Sequence, residues 1–89
     1  MNDLQIEYFL AAARNMSFSR AAQELFVSQP AISRQILALE QELGCPLFER
    51  LNRGIMLTVN GEMFYEFFLN GIVGNCFDLK LRAKLSLEN

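Results

Sequence analysis

Apolar residues near the start of the chain recur at steps of three and four, which is the spacing of one face of an α-helix. Two sets of positions follow this spacing and predict a first helix over residues 4–15: Leu4, Tyr8 and Ala11 or Ala12, and Phe9, Ala13 and Met16. Asp3 suits the positive end of that helix's dipole. The pattern breaks around Met16, so a second element is expected to begin just beyond it.

A second helix is expected between two favourable cap positions. Either Ser17 or Ser19 can accept a hydrogen bond from the free amides at its start, and the helix then runs to about Phe26. Ser28 is the next favoured cap, and Pro30 belongs in a first turn, where its missing amide costs nothing. The sequence therefore predicts two helices joined by a tight turn.

The third helix has the clearest apolar stripe in the chain. Its inward positions follow at steps of four, three and four: Ile32, Ile36, Leu39 and Leu43. Gly44 follows immediately and suits a left-handed C-terminal stop. Pro46 prevents the helix from continuing, so the third helix is expected to end at residue 43.

Two short apolar runs, residues 47–50 and 55–58, flank an Asn-Arg-Gly loop and predict a β-hairpin. A hairpin this short must pack against the helices to be stable. Thr58 can cap a fourth helix that begins near Val59 and extends to Leu87. One inward stripe of that helix is expected at Phe64, Phe68, Ile72, Cys76, Leu79 and Ala83.

Composition limits the chemistry of the chain. With 89 residues, of which 52% are apolar and 20% charged, one globular domain is expected. The chain has no histidine, which excludes an imidazole base or ligand. Cys45 and Cys76 lack metal or disulfide spacing and are expected to be reduced thiols. We expect no metal and no cofactor, and we expect a cytoplasmic protein, because no signal peptide or spanning segment is evident.

Two short helices joined by a three-residue turn and followed by a hairpin are typical of a winged helix-turn-helix. The outer face of the third helix begins with polar groups: Gln29, Pro30, Ser33 and Arg34. Glutamine pairs with adenine, arginine with guanine or phosphate, and proline offers an apolar surface to a thymine methyl group. The predicted fold is mainly α, and the predicted partner is double-stranded DNA.

The overall charge opposes that prediction, since the net charge is −2 and the isoelectric point is near 5.0. The segment from Ser17 to Leu57, however, carries four arginines and four glutamates and is neutral. Glu40 and Glu42 lie at the far end of the third helix. Because the Debye length is roughly 8 Å, these distant acids oppose a contact arginine only weakly.

The residues of the helix pair resemble the N-terminal DNA-binding segment of LysR-type transcriptional regulators. Residues 17–36 read SFSRAAQELFVSQPAISRQI, and residues 39–50 read LEQELGCPLFER. The resemblance runs from about Leu4 to Gly61. It implies a winged helix-turn-helix that reads an A/T-rich inverted repeat in a promoter as a dimer.

The resemblance also implies roles for individual residues. The first-turn residues Gln29, Pro30, Ser33 and Arg34 would face bases in the major groove, and Arg53 in the wing would reach the minor groove. The implied backbone contacts are Ser17, Ser19, Arg20, Ser28 and Arg50.

The fourth helix carries more apolar residues than one packing face needs, namely Met63, Tyr65, Phe67, Leu69 and Val73. We expect this second face to pair with the same helix of another copy, as the dimerising linker helix of the family implies. Burial within a fuller monomer is the alternative. Gly71 and Gly74 depart from the family's usual linker and indicate either a close crossing or a kink.

The expected organisation is a DNA-binding domain over residues 1–58 and a linker helix over residues 59–89. The larger effector-binding domain of the family is absent from this sequence, so either a fragment or a natural short form is expected, with no small-molecule effector. An enzyme is disfavoured because no nucleophile–base pair, metal set or phosphate loop is present. A winged helix that binds protein is the other alternative, although such modules usually lose the polar first turn.

Overall fold

Four helices and a two-stranded antiparallel sheet make up residues 1–69, the part of the chain that the computed structural model describes. In order, these are α1 (Asp3–Asn15), α2 (Phe18–Leu25), α3 (Gln29–Leu43), β1 (Phe48–Leu51), β2 (Gly54–Leu57) and α4 (Val59–Leu69). The predicted three helices and hairpin wing are confirmed. The predicted continuation of the fourth helix to Leu87 lies outside the described residues, as do Ile72, Val73, Cys76, Leu79 and Ala83. Within residues 1–69, no helix is both long and apolar enough to cross a membrane.

Helix α1 begins one residue earlier than predicted because Asn2 forms a capping box. The Asn2 side chain accepts from the Gln5 amide at 2.8 Å, and Gln5 Oε1 accepts from the Asn2 amide at 3.3 Å. The apolar spacing was wrong at two positions, since Leu4 is 44% exposed and Met16 is 45% exposed. Gln5, four residues before Phe9, occupies the buried face instead of Leu4. Met16 leaves the helical path because its φ is 49°.

Helices α1, α2 and α3 pack around one apolar core. The predicted stripe of α3 is confirmed at Ile32, Ile36 and Leu39, each fully buried, while Leu43 is half-buried. Burying a side chain of this size contributes about 1.5–3 kcal/mol. Small residues let the helices approach closely, and the buried ones are Ala11, Ala12, Ala13, Ala21 and Ala22. This packing fixes which side of α3 can face outward.

The hairpin and α4 join the core through a cluster of aromatic rings. The Phe9 ring centroid lies 5.4 Å from that of Phe48 and 5.3 Å from that of Phe64. The Phe18 and Phe48 rings meet edge to face, with centroids 5.4 Å apart. The first strand therefore contacts both α1 and the start of α2, and α4 contacts α1.

Caps define the remaining helix boundaries. Of the two predicted alternatives, Ser17 caps α2, and its side chain accepts from the Arg20 amide. Helix α2 ends at Leu25, one residue before the predicted position, because Phe26 adopts a left-handed conformation with φ of 57°. Gly44 ends α3 with φ of 77°, as predicted.

Glu40 connects α3 to the hairpin. Its Oε2 accepts from the Leu47 amide at 2.7 Å and from the Phe48 amide at 3.1 Å. Thr58 secures the other end, because its hydroxyl donates to the Pro46 carbonyl at 2.7 Å and accepts from the Gly61 amide at 3.0 Å. The cap predicted at Thr58 is therefore confirmed. A Cβ at Gly61 would overlap the Leu47 carbonyl oxygen, so the first turn of α4 lies directly against the hairpin.

An ion pair connects the end of α1 to α2. Arg14 binds the Glu24 carboxylate, which also accepts from Asn15 Nδ2 at 3.0 Å. The hydrogen bonds from Asn15 and Arg14 lower the pKa of Glu24 below its ordinary value of 4.5. Glu24 is therefore expected to stay ionised and paired in mildly acidic solution.

Replacing Glu40 with alanine should destabilise the domain. The substitution leaves the Leu47 and Phe48 amides without their charged acceptor, so the free energy of unfolding should fall by about 2 kcal/mol. Urea denaturation of the two proteins measures the difference. Gln41→Ala, on an exposed position of the same helix, is the matched control and should have little effect. An equal loss in both variants would contradict the anchoring role of Glu40.

Replacing Glu24 with glutamine should reduce stability only where the carboxylate is ionised. Because the folded-state pKa is lowered, the ion pair stabilises the fold above pH 4.5, and that stabilisation is lost as the pH falls through the folded pKa. Thermal unfolding of Glu24→Gln and the parent chain should therefore differ at neutral pH and converge in acid. A difference that is constant with pH would contradict this account.

Candidate nucleic-acid interface

The first turn of α3 presents polar side chains outward because its opposite face is buried. Gln29, Pro30 and Arg34 are exposed, and Ser33 is half-buried. The start of the helix is rigidly defined, since the Ser28 hydroxyl accepts from the Ala31 amide at 3.2 Å and a proline occupies the first turn. The cap and the proline therefore fix the backbone that carries these side chains.

One hydrogen bond joins a side chain in the first turn of α3 to a side chain in the next turn. Gln29 Nε2 donates to Ser33 Oγ at 2.8 Å. The residues are four apart, so they are neighbours on the same face of the helix. The Gln29 amide still has one N–H and its carbonyl oxygen available.

The start of α2 lies beside this turn and carries several of the predicted backbone contacts. Ser17 Oγ accepts from the Arg20 amide at 3.1 Å, and Ser19 and Arg20 are exposed. A serine hydroxyl that accepts from a backbone amide still has its own proton to donate. The cap residues Ser17 and Ser28 can therefore donate to a phosphate oxygen without giving up their caps.

Arg50 reaches the same region from the hairpin. Side chains alternate between the faces of a strand, so Arg50 shares the face of Phe48 and pairs across the sheet with Ile55. This orientation directs the side chain toward α2, where its guanidinium carbon lies 4.9 Å from the centre of the Phe18 ring. The ring is itself buried, so it is a firm support for an exposed cation.

These elements border an open surface cavity of about 250 Å³ between the starts of α2 and α3 and the hairpin. Its lining residues are Ser17, Phe18, Ser19, Gln29, Arg50, Leu51, Gly54 and Ile55. The cavity thus brings together four of the residues predicted to contact DNA. The other six do not line it: Arg20, Ser28, Pro30, Ser33, Arg34 and Arg53.

Arg53 lies at the exposed turn between the two strands. Gly54, which follows it, has φ of 113°, a conformation that side chains rarely adopt, and a Cβ there would lie 3.3 Å from the Met16 carbonyl oxygen. The hairpin turn therefore rests close to the α1–α2 connection. The start of the second strand thus lies beside the start of α2, where Gly54 lines the same cavity as Ser17 and Ser19.

Most acidic groups of the helix-turn-helix and wing already have partners other than the arginines that are expected to contact DNA. Glu24 pairs with Arg14, and Glu42 pairs with the N-terminal amine. Glu40 accepts from two backbone amides. Neither of the two ion pairs found in residues 1–69 involves the four arginines expected to contact DNA, which are Arg20, Arg34, Arg50 and Arg53. The module is neutral overall, and three of its four glutamates are paired with other groups than these arginines, the exception being Glu49 in β1.

Sequence reasoning missed two residues that organise this surface. Phe18 was treated only as part of a motif, whereas it packs against Phe48 and supports Arg50. Glu40 was treated as a distant charge, whereas it secures the hairpin. Strand alternation could have placed Arg50 on the inward face, but the partner ring could not be found from spacing alone.

The residues predicted to form a dimer interface differ in how far they are exposed to solvent. Met63, Tyr65 and Phe67 are half-buried within the chain, and Leu69 is 61% exposed. The Tyr65 ring lies 6.4 Å from the Phe9 ring and packs against the core.

The family comparison agrees with this architecture. The sequence model described as "Bacterial regulatory helix-turn-helix protein, lysR family" matches residues 4–62. A "HTH-type transcriptional regulator BudR" of Klebsiella aerogenes is 56% identical over 61 residues, which are 68% of this chain and 43% of that protein. The "Glycine cleavage system transcriptional activator" of Escherichia coli strain K12 is 51% identical over 65 residues, 73% of this chain and 21% of that protein. This chain therefore spans less than half of the length of these relatives, which are named as transcriptional regulators rather than enzymes.

Solved structures agree as well. A structure described as a "CbnR_DBD-DNA complex" has a TM-score of 0.72 and 40% identity, and the likeness covers 99% of this chain and 86% of that one. A "BenM_DBD/catB site 1 DNA Complex" has a TM-score of 0.76 and 32% identity, covering 99% of this chain and 93% of that one. The fold, the motif and these likenesses lead to one conclusion: the chain belongs to the lysR family of bacterial regulatory helix-turn-helix proteins.

Proposed function

We propose that this chain binds double-stranded DNA in a sequence-specific manner as the DNA-reading part of a transcription regulator. The main support is the first turn of α3, where Gln29, Pro30 and Arg34 are exposed opposite the buried Ile32 and Ile36. A helix whose exposed first residues combine uncharged groups with a cation suits the major groove, which admits one α-helix. Both DNA complexes described above contain domains of this fold.

In this proposal, four side chains face base edges in the major groove: Gln29, Pro30, Ser33 and Arg34. Glutamine suits adenine, and arginine suits guanine. Arg53 enters the adjacent minor groove from the exposed wing turn, where a narrow A/T-rich groove attracts a guanidinium group. The role of Gln29 at adenine and that of Arg53 in the minor groove favour an A/T-rich target.

The proposed backbone contacts are Ser17, Ser19, Arg20, Ser28 and Arg50. Ser17, Ser19 and Arg50 line the same cavity, so two hydroxyl groups and one guanidinium group can act there as hydrogen-bond donors. Phe18 and Ser19, the first residues of α2, also line this cavity, and a helix N-terminus favours an anion. A phosphate of the DNA backbone at this cavity would hold α3 in its groove.

We further propose that two copies bind the two halves of an inverted repeat through a contact of their α4 helices. The support is the apolar surface around Met63, Phe67 and Leu69, which the described part of the chain covers only in part. Residues 1–58 would then read DNA and residues 59–89 would link the two copies. For a protein with this function we propose a location in the bacterial cytoplasm, where the DNA lies.

Titration of the full 89-residue chain with synthetic duplexes tests the proposal. A duplex with an A/T-rich inverted repeat should bind more tightly than its scrambled counterpart. Gln29→Ala should cost about 1–3 kcal/mol on the preferred duplex and relax base choice, whereas Arg50→Ala should weaken both duplexes alike. Gln41→Ala, at the exposed far end of α3, is the matched control and should leave binding unchanged.

The salt dependence gives an independent check in the same titration. If Arg20 and Arg50 contact phosphates, log K should fall with log salt with a slope of about −1.8 for each protein chain, and with a slope of about −3.6 if Arg34 and Arg53 neutralise phosphates as well. A slope near zero would contradict phosphate anchoring. Equal affinity of the parent chain for both duplexes would contradict sequence-specific binding, and no binding to either duplex would favour the protein-binding winged helix instead.

Phe18 should affect DNA binding only through Arg50. Phe18→Leu keeps an apolar side chain in the core but removes the ring beneath the guanidinium, so affinity should fall by about 0.5–1 kcal/mol. The same substitution should have no further effect when Arg50 is already alanine. Phe68→Leu, which removes a ring from α4, is the matched control. Equal losses with and without Arg50 would contradict the coupling.

A further inference from the structure

We propose that Ser33 positions the side-chain amide of Gln29, so that the two residues read one base pair as a unit and distinguish A·T from T·A there. The inference rests on the proposed DNA binding and refines it. Ser33 becomes a positioning residue, and Gln29 remains the group that contacts the base. The observation that carries it is the 2.8 Å hydrogen bond from Gln29 Nε2 to Ser33 Oγ.

The bond restrains the one part of Gln29 that the fold leaves free. Gln29 is the first residue of α3, directly after the cap Ser28 and before Pro30, so its backbone is already fixed. Its side chain is exposed and would otherwise occupy many rotamers. Ser33, one turn along the same face and half-buried, supplies a fixed acceptor for the amide.

The bond also holds the amide beside Ser33. The Nε2 group lies toward Ser33, so Oε1 lies away from it. Nε2 has two hydrogens and donates only one of them to Ser33, so the other hydrogen and Oε1 remain available. These are the groups that pair with N7 and N6 of adenine in the major groove.

A fixed position of the amide selects the orientation of the base pair. In an A·T pair the adenine N7 acceptor and N6 donor lie on one side of the major groove and the thymine C5-methyl group lies on the other, and in a T·A pair the two sides are exchanged. An amide held at one position meets the adenine edge in one orientation of the pair and the methyl group in the other. An amide released from Ser33 can move to either side.

A direct role for Ser33 predicts a different result. Ser33 Oγ lies 2.8 Å from Gln29 Nε2, so both groups are within reach of one base pair. A direct contact by Ser33 would not need the Gln29 side chain, so its loss would add to the loss caused by Gln29→Ala. A positioning role acts only through Gln29, so the double variant separates the two roles.

The experiment selects bound duplexes from a synthetic A/T-rich inverted-repeat pool that is randomised in each half-site and sequences them. The full chain is compared with Ser33→Ala, Ser33→Thr, Gln29→Ala and the double variant Gln29→Ala/Ser33→Ala. Gln41→Ala is the control on the same helix. Alanine is a better helix former than serine, so Ser33→Ala is expected to fold, and circular dichroism checks that it does.

The parent chain should prefer adenine at one position by about 5- to 150-fold, the range of a bidentate contact. Ser33→Ala should reduce the preference for A·T over T·A at that same position by about threefold or more, the coupling expected of residues in contact. Binding to scrambled duplexes should not change. Ser33→Thr keeps a hydroxyl acceptor and should restore the preference, and the double variant should match Gln29→Ala.

Two results would overturn the inference. One is a change of base preference in Ser33→Ala with effects that add to those of Gln29→Ala. The other is an unchanged preference at the Gln29 position. A parent chain that shows no sequence preference would instead overturn the proposed function, and with it this refinement, so the two failures are distinguishable.

Discussion

The burial of one stripe of α3 is the constraint on which the rest of the domain depends. Ile32, Ile36 and Leu39 are fully enclosed by the core, and this fixes the rotation of α3 about its own axis. The cap at Ser28 then fixes where the helix begins. With rotation and starting point both determined, the polar first turn has only one direction in which to point, which is away from the core.

The same core positions the elements beside that turn. Phe9 contacts the rings of Phe48 and Phe64, so the hairpin and α4 are held against α1. Phe18 contacts Phe48 and supports Arg50, so an aromatic ring that stabilises the fold also orients a cation at the surface. The net charge of the chain is −2, but three of the four glutamates between Ser17 and Leu57 are paired with groups other than the four arginines of that segment. With a Debye length of roughly 8 Å, local arrangement outweighs net charge.

Local features of the sequence predicted the elements well. The apolar spacing placed α3, and the caps at Ser28, Gly44 and Thr58 marked boundaries that the structure confirms. Such signals are local, because a cap or a stripe involves residues within a few positions of one another. Spacing failed at Leu4 and Met16, which lie where α1 begins and ends and the regular pattern no longer describes the side-chain direction.

Features that depend on distant residues could not be read from the sequence. Glu40 reaches the hairpin, and Arg14 reaches Glu24 on the next helix. Each of these bonds depends on how two elements cross, which no pattern within one element specifies. For the candidate site, sequence named the exposed residues of α3, but the bond between Gln29 and Ser33 and the ring beneath Arg50 required the packed structure.

Amide chemical shifts of the isotope-labelled chain, followed during titration with an A/T-rich inverted-repeat duplex, test most directly whether the outward turn of α3 is the DNA-reading surface. The account predicts the largest changes at residues 28–34, at the start of α2 and at the wing. The far end of α3, around Gln41, should change little. Large changes confined to α4 or α1, with residues 28–34 unaffected, would contradict it.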